Sequence, residues 1–262
     1  MREGSQTDPT QKWIQRPVPR PSATLRLFCF PYAGIGASIF RTWAAEFPAH
    51  VELCLMQPPG REGRFMEPAF HEISPMADSA AAAIAPHLSM PYIVFGHSLG
   101  ALVSFEVLRR LRSRGLPMPA HLFVSAHRAP QFPNPHPPLR QLADPEFIDH
   151  VSREYDGIPR AVLDNPDLVE LMLPSLRADF TVFETYQWTA EPPFDLPISA
   201  FGGLKDRRVR ESELTGWSER TNGPFRLEMF DGDHFFLQSR RDELIASIRR
   251  DLDRSVAAAA IR

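Results

Sequence analysis

The chain has 262 residues, of which 43% are hydrophobic, and a formal net charge of −3 from 29 basic and 32 acidic residues. This length and composition suit one α/β domain with a sizeable core. The near-balance of charge argues against general binding to nucleic acid or to an anionic membrane, since both select clustered positive charge. Residues 1–24 have no apolar signal region and no apolar run approaches about eighteen residues, so the sequence predicts a cytoplasmic protein without a membrane segment.

The cysteines and histidines give no sign of a metal or a disulfide. Cys29 and Cys54 both lie inside apolar runs, where buried free thiols in a reducing compartment are expected. No Cys/His cluster has the spacing of metal ligands. The sequence therefore predicts no metal and no disulfide framework, and no feature of it demands more than a monomer.

In chain order, residues 1–24 are polar and proline-rich, and they are predicted to form an extended arm that Trp13 and Ile14 attach to the domain. From residue 25 onward, short apolar runs alternate with helical patterns. Strands are predicted at 25–30, 51–57, 91–97, 121–126, 196–203 and 225–232, and helices at 39–47, 73–88, 99–115 and 241–254. This alternation predicts an α/β fold with a mainly parallel central sheet and helices on both faces.

The alternation stops between about residues 130 and 192. This stretch opens with several prolines and then shows short helical patterns, and Asp144-Pro145-Glu146 and Asn165-Pro166-Asp167 each place a capping residue before a proline. A helical insertion within an α/β core is interpreted as a lid over the functional site. The alternative is a packing subdomain that has no gating role.

The pentapeptide Gly96-His97-Ser98-Leu99-Gly100 matches the pattern G-x-S-x-G, with an apolar strand before it and a helix directly after. A nucleophilic serine in this context sits on a sharp turn, where glycine two residues before and two after it leaves the necessary room. The free N–H groups at the start of the following helix point to where negative charge develops during acyl transfer. Ser98 is therefore the candidate nucleophile.

A serine hydroxyl needs a base, and in this fold the acid and then the histidine follow the serine along the chain. His234 comes directly after the last predicted strand and is the candidate base. Asp206 is the first carboxylate after the preceding strand and is the candidate acid that orients the imidazole. Asp231 and Asp233 compete with it, although neighbours of a histidine in the chain rarely reach its ring, and loop structure explains them.

Two backbone donors should stabilise the oxyanion. One is the N–H of Leu99, and the other is expected from the glycine loop after the first core strand, where Ala33 is favoured. The alternative for this loop is a dinucleotide fingerprint, since Gly34 and Gly36 follow a strand. That signal is weak because Ile39 occupies the position of the third glycine.

Several segments together resemble the type II thioesterases of polyketide and nonribosomal peptide synthesis. GxSxG alone indicates only a serine hydrolase, whereas the combination with PYAG, PGRE, LRADF and GDHFFL is far more specific. The resembling segments are LFCFPYAGIGAS (27–38), QPPGREGR (57–64), FGHSLGALVSFEV (95–107), FVSAHRAP (123–130), LPSLRADFTVFETY (173–186), FGGLKDRRV (201–209) and GDHFFL (232–237). The resemblance implies an α/β-hydrolase fold.

The resemblance also implies an activity: removal of aberrant or stalled acyl groups from the phosphopantetheine arms of acyl or peptidyl carrier proteins. Carried over by motif, Ser98 is the nucleophile, His234 the base and Asp206 the acid, with Leu99 and Ala33 as oxyanion donors. No resident cofactor is implied, because phosphopantetheine belongs to the substrate. Carrier proteins are the implied partners.

Two arginines of the PGRE segment, Arg61 and Arg64, follow the second strand in a predicted loop. One interpretation has them meet the phosphate of phosphopantetheine or an acidic carrier helix. The other interpretation leaves them solvated.

Other activities fit parts of the pattern. A carboxylesterase of the same fold would act on small oxygen esters, and an acyltransferase or cyclase would let an amine or hydroxyl intercept the acyl-enzyme. A non-catalytic carrier-binding scaffold would keep the fold without the chemistry. A chain of this length without an attached carrier domain favours action in trans.

Overall fold

The computed structural model describes residues 12–155 and 160–259. At its centre lies a seven-stranded sheet with the order β1-β3-β2-β4-β5-β6-β7. Strand β1 is antiparallel to β3, and every other neighbouring pair is parallel. The strands are β1 Ile14–Gln15, β2 Leu25–Phe30, β3 Val51–Met56, β4 Tyr92–His97, β5 Leu122–Ser125, β6 Ile198–Gly203 and β7 Phe225–Phe230. The predicted, mainly parallel sheet is thereby confirmed.

Helices cover both faces of the sheet. The α-helices are α1 Ile73–Ile84, α2 Leu99–Ser113, α3 Asp144–Tyr155, α4 Arg160–Leu163, α5 Pro166–Thr185, α6 Glu211–Thr215, α7 Phe236–Ser239 and α8 Arg241–Ala259. Because side chains alternate along a strand, Phe28 and Phe30 of β2 pack with α1 and α2, whereas Leu27 and Cys29 pack with α8 on the opposite face. This double burial explains why strands β2–β6 are largely apolar, whereas the half-buried edge strand β7 contains Arg226 and Glu228.

The predicted helix at 39–47 is instead a 3-10 helix over Ala37–Ala45. Its buried side chains include Ala37, Phe40 and Trp43, which recur every third residue. A 3-10 helix has three residues per turn, so this spacing keeps all three on the buried side.

The part of the N-terminal arm that the structure describes is attached to the domain. Trp13 is buried, and its indole N–H donates to the Ser79 hydroxyl at 3.0 Å. The Trp13 carbonyl accepts from the Gln57 N–H at 2.8 Å, beside the pairing of β1 with β3. Residues 1–11 of the predicted arm lie outside the described residues.

Helices α3, α4 and α5 form the insertion between β5 and β6, and residues 156–159 lie outside the described residues. They build an apolar cluster of their own, whose buried members are Leu139, Phe147, Val151, Leu176 and Phe180. The Asn165 side chain caps α5 by accepting from the Asp167 and Leu168 N–H groups at 3.1 and 3.4 Å. That this insertion acts as a lid stays a prediction.

Within the described ranges, no helix has the length and apolar character needed to cross a bilayer.

Candidate active site

Ser98 stands on the turn between β4 and α2, with φ 52° and ψ −122°. Such a conformation costs free energy and persists only where the surroundings enforce it. Here the two flanking glycines allow close packing. A Cβ at Gly96 would lie 2.3 Å from the Gly100 carbonyl oxygen, and a Cβ at Gly100 would lie 2.3 Å from the Phe30 carbonyl oxygen. The turn therefore presents the Ser98 hydroxyl at the carboxyl end of the sheet.

The structure brings the three candidate catalytic side chains together. His234 Nε2 lies 2.9 Å from the Ser98 Oγ, and His234 Nδ1 lies 2.8 Å from Asp206 Oδ2. With Nδ1–H donating to the carboxylate, Nε2 is left to accept the proton of the serine hydroxyl. This is the arrangement that nucleophilic acyl transfer requires.

Asp206 is held as a carboxylate. Burial opposes its charge, but the neighbouring His234 and the N–H groups of Arg208 and Val209 outweigh burial and lower the pKa of Asp206 below its ordinary value. The two N–H groups donate to Oδ1 at 2.8 and 3.2 Å, which leaves Oδ2 for the imidazole.

The two competing carboxylates do not reach the ring through a hydrogen bond that would orient it. Asp231 forms surface ion pairs with Lys205 and Arg240 at 2.7 and 3.2 Å. Asp233 accepts from the Phe235 N–H at 2.8 Å. Both therefore have contacts that organise the loop around His234.

His97 supports the site, a role that the sequence did not reveal. Its Nε2–H donates to the His234 carbonyl at 2.9 Å, and its Nδ1 accepts from the Ser125 hydroxyl at 2.8 Å. Burial lowers the pKa of His97 to about 3, so the ring is neutral around pH 7. It ties the loop that carries the candidate base to the turn that carries the candidate nucleophile.

Both candidate oxyanion donors border the same space as Ser98. Leu99 is the first residue of α2, so its N–H has no intrahelical acceptor. The Ala33 N–H donates no hydrogen bond within residues 12–155 and 160–259. Ala33, Ser98, Leu99 and His234 all line one cavity.

The insertion supplies the apolar wall of that cavity. Side chains from α3, α4 and α5 face Ser98 across it, namely Val151, Val162, Met172, Leu176, Phe180 and Phe183. An apolar wall beside an activated serine suits the carbon chain of an acyl group. In the described part of the chain, no group of histidine, cysteine and carboxylate side chains has the arrangement of a metal site.

A family model described as "Thioesterase domain" matches residues 25–252. The chain belongs to the thioesterase family. The match covers most of the chain, including the turn at Ser98 and the loop at His234. It confirms the predicted class of enzyme, a serine hydrolase that acts on thioesters.

Relatives of this thioesterase come from biosynthetic pathways. The gramicidin S biosynthesis protein GrsT of Aneurinibacillus migulanus is 40% identical over 241 residues, covering 92% of this chain and 94% of the relative. Linear gramicidin dehydrogenase LgrE of Brevibacillus parabrevis is 38% identical over 244 residues, covering 92% of each chain. The solved type II thioesterase BorB from the borrelidin biosynthetic cluster aligns with a TM-score of 0.83 and 33% identity, covering 91% of this chain and 96% of BorB. The predicted family and α/β-hydrolase fold are thereby confirmed.

The glycine loop of this thioesterase is not built for a dinucleotide. Ile39 replaces the third glycine of the fingerprint, and the loop leads into the 3-10 helix at Ala37–Ala45. A dinucleotide fingerprint needs the amino terminus of an α-helix at this point to hold the pyrophosphate. This loop therefore lacks the dinucleotide-binding features that the word dehydrogenase in the name of LgrE would suggest.

Both interpretations of Arg61 and Arg64 were wrong, because neither side chain is solvated or available to a phosphate. Arg61 is 5% exposed and pairs with the buried Asp179 of α5. Arg64 is 7% exposed, donates to the Gln57 carbonyl at 2.8 Å and pairs with Glu67 at 2.6 Å. Buried arginines need such partners, and the sequence around them gave no sign that Asp179 is one.

Proposed function

We propose that this thioesterase hydrolyses acyl groups from the phosphopantetheine arm of carrier proteins in polyketide or nonribosomal peptide synthesis, with Ser98, His234 and Asp206 as catalytic triad. The observation that carries the proposal is the Ser98–His234–Asp206 chain of hydrogen bonds, at 2.9 and 2.8 Å, opening on an apolar cavity. The kinship with a type II thioesterase of a biosynthetic cluster supports this substrate class.

In the first half-reaction, the Ser98 Oγ attacks the thioester carbonyl carbon while His234 Nε2 accepts the hydroxyl proton. The carbonyl electrons move to oxygen, and the N–H groups of Ala33 and Leu99 stabilise the oxyanion. Collapse of the tetrahedral intermediate breaks the carbon–sulfur bond, and the imidazolium gives its proton to the departing thiolate sulfur, which leaves as a thiol. Asp206 stabilises the imidazolium without taking its proton.

In the second half-reaction, water replaces the thiol. His234 accepts a proton from water as its oxygen attacks the acyl-enzyme, and the same two N–H groups hold the second oxyanion. The proton then returns to the Ser98 Oγ as the carboxylic acid leaves. No resident cofactor enters either step, since the pantetheine arm is part of the substrate.

The editing role follows from the chemistry of the cavity wall. Apart from Asp179, whose carboxylate pairs with Arg61, the cavity-lining side chains from α3–α5 are aliphatic or aromatic. They contact an acyl chain mainly through its apolar surface. Such contacts discriminate weakly among short chains, since one methylene is worth about 1–3 kcal/mol. Tolerance of several short acyl groups is what removal of aberrant acyl groups demands.

The test compares wild type, Ser98→Ala and a control on one carrier protein loaded with acetyl, propionyl or a longer acyl group. Mass spectrometry follows loss of the acyl group from the phosphopantetheine arm. Without its nucleophile the variant should lose about 10⁶-fold in kcat. The control is Ser104→Ala, whose hydroxyl only bonds the Ala101 carbonyl within α2 and whose loss should leave turnover unchanged.

The outcomes separate the competing activities. Release of several short acyl groups that depends on Ser98 supports an editing thioesterase. Brisk cleavage of nitrophenyl esters with no release from the carrier would contradict the proposed substrate and favour a carboxylesterase. Transfer of the acyl group to an added amine or alcohol, in place of acid formation, would favour an acyltransferase.

A further inference from the structure

The loop that carries the candidate oxyanion donor Ala33 is held by side chains from elsewhere in the chain. Four backbone N–H groups between residues 34 and 38 donate to side-chain oxygens. The pairs are Gly34 to Asp179 Oδ2 at 2.7 Å, Gly36 to Glu62 Oε1 at 3.0 Å, Ala37 to Gln57 Oε1 at 2.9 Å and Ser38 to Glu62 Oε2 at 3.3 Å. Three acceptors belong to the segment after β3, whereas Asp179 belongs to helix α5 of the insertion.

Asp179 has little freedom to leave this contact. Its side chain is 1% exposed, and both carboxylate oxygens pair with the guanidinium of Arg61. The bond from Arg61 Nη2 to Oδ1 is 2.9 Å, while Oδ2 accepts from both Arg61 Nη1 and the Gly34 N–H. Bidentate pairs of this kind fix geometry as well as charge.

A second contact between α5 and the loop lies beside the first. Leu176 packs directly on Gly34, so a Cβ at Gly34 would lie 2.7 Å from Leu176 Cδ1. Gly34 also has φ +79°, a conformation that favours glycine. The preceding residue, Ala33, packs against both the insertion cluster and the main core. We call residues 33–38 the oxyanion loop. Helix α5 thus contacts this loop twice at Gly34, through the carboxylate of Asp179 and through the apolar side chain of Leu176.

We propose that Asp179, held by Arg61, is a positioning residue for the oxyanion hole: it fixes the peptide between Ala33 and Gly34 and so aims the Ala33 N–H at the reacting carbonyl oxygen. The inference rests on the proposed roles of Ser98 and Ala33. An oxyanion donor works only within a narrow range of distances to the developing charge. Displacement of the chain at Gly34 would shift the adjoining Ala33 together with its N–H, and the Gly34–Asp179 bond opposes that displacement.

On this proposal, the geometry of the oxyanion hole depends on the position of α5 against the rest of the domain. The same helix lines the acyl cavity with Met172, Leu176, Phe180 and Phe183. An α5 displaced from the sheet would take Asp179 away from Gly34. The hole is therefore complete only while the wall that receives the acyl chain is in place.

The test uses pairs of substitutions, because loss of one partner would leave a buried charge alone and could unfold the protein. Replacing both partners by apolar side chains of similar volume is often tolerated. Arg61→Met with Asp179→Leu removes the ion pair and the acceptor for the Gly34 N–H. Arg61→Met with Asp179→Asn also removes the ion pair but keeps a side-chain oxygen for that N–H.

The expected loss is in kcat. The Met/Leu pair should lower kcat by about 30- to 100-fold, somewhat less than the about 10²–10³-fold loss when an oxyanion donor is removed outright, while KM changes less than about twofold. The Met/Asn pair should recover most of that loss. Equal activity of the two pairs, or a loss confined to KM, would overturn the proposal.

The dissociation constant of a trifluoromethyl ketone distinguishes a positioning role of Asp179 from a merely structural one. It adds to Ser98 as a tetrahedral adduct whose oxyanion occupies the hole, so its affinity tracks stabilisation of the transition state. In the Met/Leu pair its dissociation constant should rise by the same factor by which kcat/KM falls. An unchanged dissociation constant would contradict the positioning role.

Glu184→Gln is the matched control on the same helix. This buried carboxylate of α5 accepts from the Leu139 and Arg140 N–H groups at 2.5 and 3.1 Å and pairs with Arg140, and neither partner belongs to the oxyanion loop. If any loosening of α5 lowered activity, this variant would show the same loss as the Met/Leu pair, and the specific role of Asp179 would be refuted.

Failure of this proposal and failure of the proposed function are distinguishable. The oxyanion hole serves esters as well as thioesters, so the variants are assayed on a nitrophenyl ester and on acyl-carrier protein. A chain that cleaves only the ester would contradict the proposed substrate, and the ratio between the two paired variants would still decide the role of Asp179.

Discussion

The Ser98 turn and the loop at residues 33–38, which carries the proposed oxyanion donor Ala33, both line one cavity, but they are held in different ways. The turn is shaped by local sterics, since Gly96 and Gly100 allow backbone contacts that a Cβ would prevent. The loop is shaped by acceptors that lie far away in the chain, with Asp179 bonding Gly34 across 145 residues. A local pentapeptide therefore suffices to predict the turn at Ser98, whereas the loop depends on contacts that only the fold creates.

The Ser98 turn also contacts the chain directly before the oxyanion loop. Gly100 in the first turn of α2 packs on the Phe30 and Pro31 carbonyls, which precede the oxyanion loop. The His97 ring lies edge-on to Tyr32, with ring centroids 5.9 Å apart. The Ser98 turn and the chain that leads into the oxyanion loop are thus packed together at this edge of the sheet.

The largest effect is expected where the two regions touch, in Gly100→Ala. The new Cβ would lie 2.3 Å from the Phe30 oxygen and 2.5 Å from the Pro31 oxygen, and neither backbone group can move without shifting β2 or the loop. Overpacking of this kind costs about 1–3 kcal/mol of unfolding free energy and occasionally more. Urea unfolding measures the loss, and kcat should fall with it because Ser98 and the Ala33 N–H move apart.

Gly63→Ala is the control for this prediction. A Cβ at Gly63 would meet nothing within 4 Å, so stability and turnover should stay near those of wild type. Should Gly100→Ala prove as stable and active as Gly63→Ala, the steric account of the Ser98 turn would be wrong.

A smaller effect is expected from His97, which precedes Ser98, in the pH dependence of the unfolding free energy. Burial lowers the pKa of His97 to about 3, from an ordinary value of 6.5. As pH falls below 6.5, the unfolded chain binds a proton that the folded chain does not, so unfolding free energy falls by about 1.4 kcal/mol per pH unit for this group. At pH 5 the loss from His97 should therefore reach about 2 kcal/mol.

Urea unfolding between pH 7 and pH 4.5 tests this, with His97→Gln as the variant. The amide N–H of glutamine can replace the Nε2–H of His97 toward the His234 carbonyl, but the amide takes up no proton. The variant should lose stability less steeply below pH 6.5 than wild type, by about 1.4 kcal/mol per pH unit. Parallel slopes would mean that His97 is already protonated in the folded protein. His121 and His127, whose pKa values burial also lowers, to about 4 and about 3, contribute equally to both proteins.

The smallest effect is expected in the oxyanion loop from Glu62→Gln. Glu62 Oε1 accepts from the Gly36 N–H at 3.0 Å and from the Ser38 hydroxyl at 2.5 Å, and Oε2 accepts from the Ser38 N–H at 3.3 Å. The amide oxygen of glutamine can keep the two bonds to Oε1, so one bond is lost. The exchange should cost about 0.5–1.5 kcal/mol in unfolding free energy, the worth of one hydrogen bond, and less than about threefold in kcat. A loss in kcat as large as that of the Arg61→Met/Asp179→Leu pair would show that the loop is held as a whole and not chiefly through Gly34.

The sequence predicted the parts of this fold that follow from periodicity. Largely apolar runs predicted strands β2–β6 to within a few residues, because a strand buried on both faces admits few polar side chains. The edge strand β7, which contains Arg226 and Glu228, was also predicted to within a few residues. It did not predict β1, since Ile14–Gln15 becomes a strand only by pairing with Leu55 and Met56 of β3. It assigned 39–47 to an α-helix, because the three-residue period of Ala37, Phe40 and Trp43 is close to the helical one.

The candidate site divides in the same manner. The order serine, acid, histidine along the chain placed Ser98, Asp206 and His234 at strand ends, and the structure brings these side chains within hydrogen-bonding distance; their catalytic roles stay a proposal. The pairing of Arg61 with Asp179 could not be predicted from the sequence, because nothing near residue 61 indicates a carboxylate 118 residues later.

By itself, the sequence determined that the chain forms a mainly parallel α/β sheet, that Ser98 stands on a strained turn, and that the family is that of thioesterases. The sheet and the turn follow from local patterns, since steric room, burial and turn geometry are decided within a few residues. The family follows from the resemblance of several motifs to those of known thioesterases. Only the tertiary structure decided that His97 ties the His234 loop to the Ser98 turn and that Asp179 of α5 bonds the oxyanion loop. Those contacts exist because the fold excludes water around polar groups from distant segments, and each group must then find its partner inside the protein.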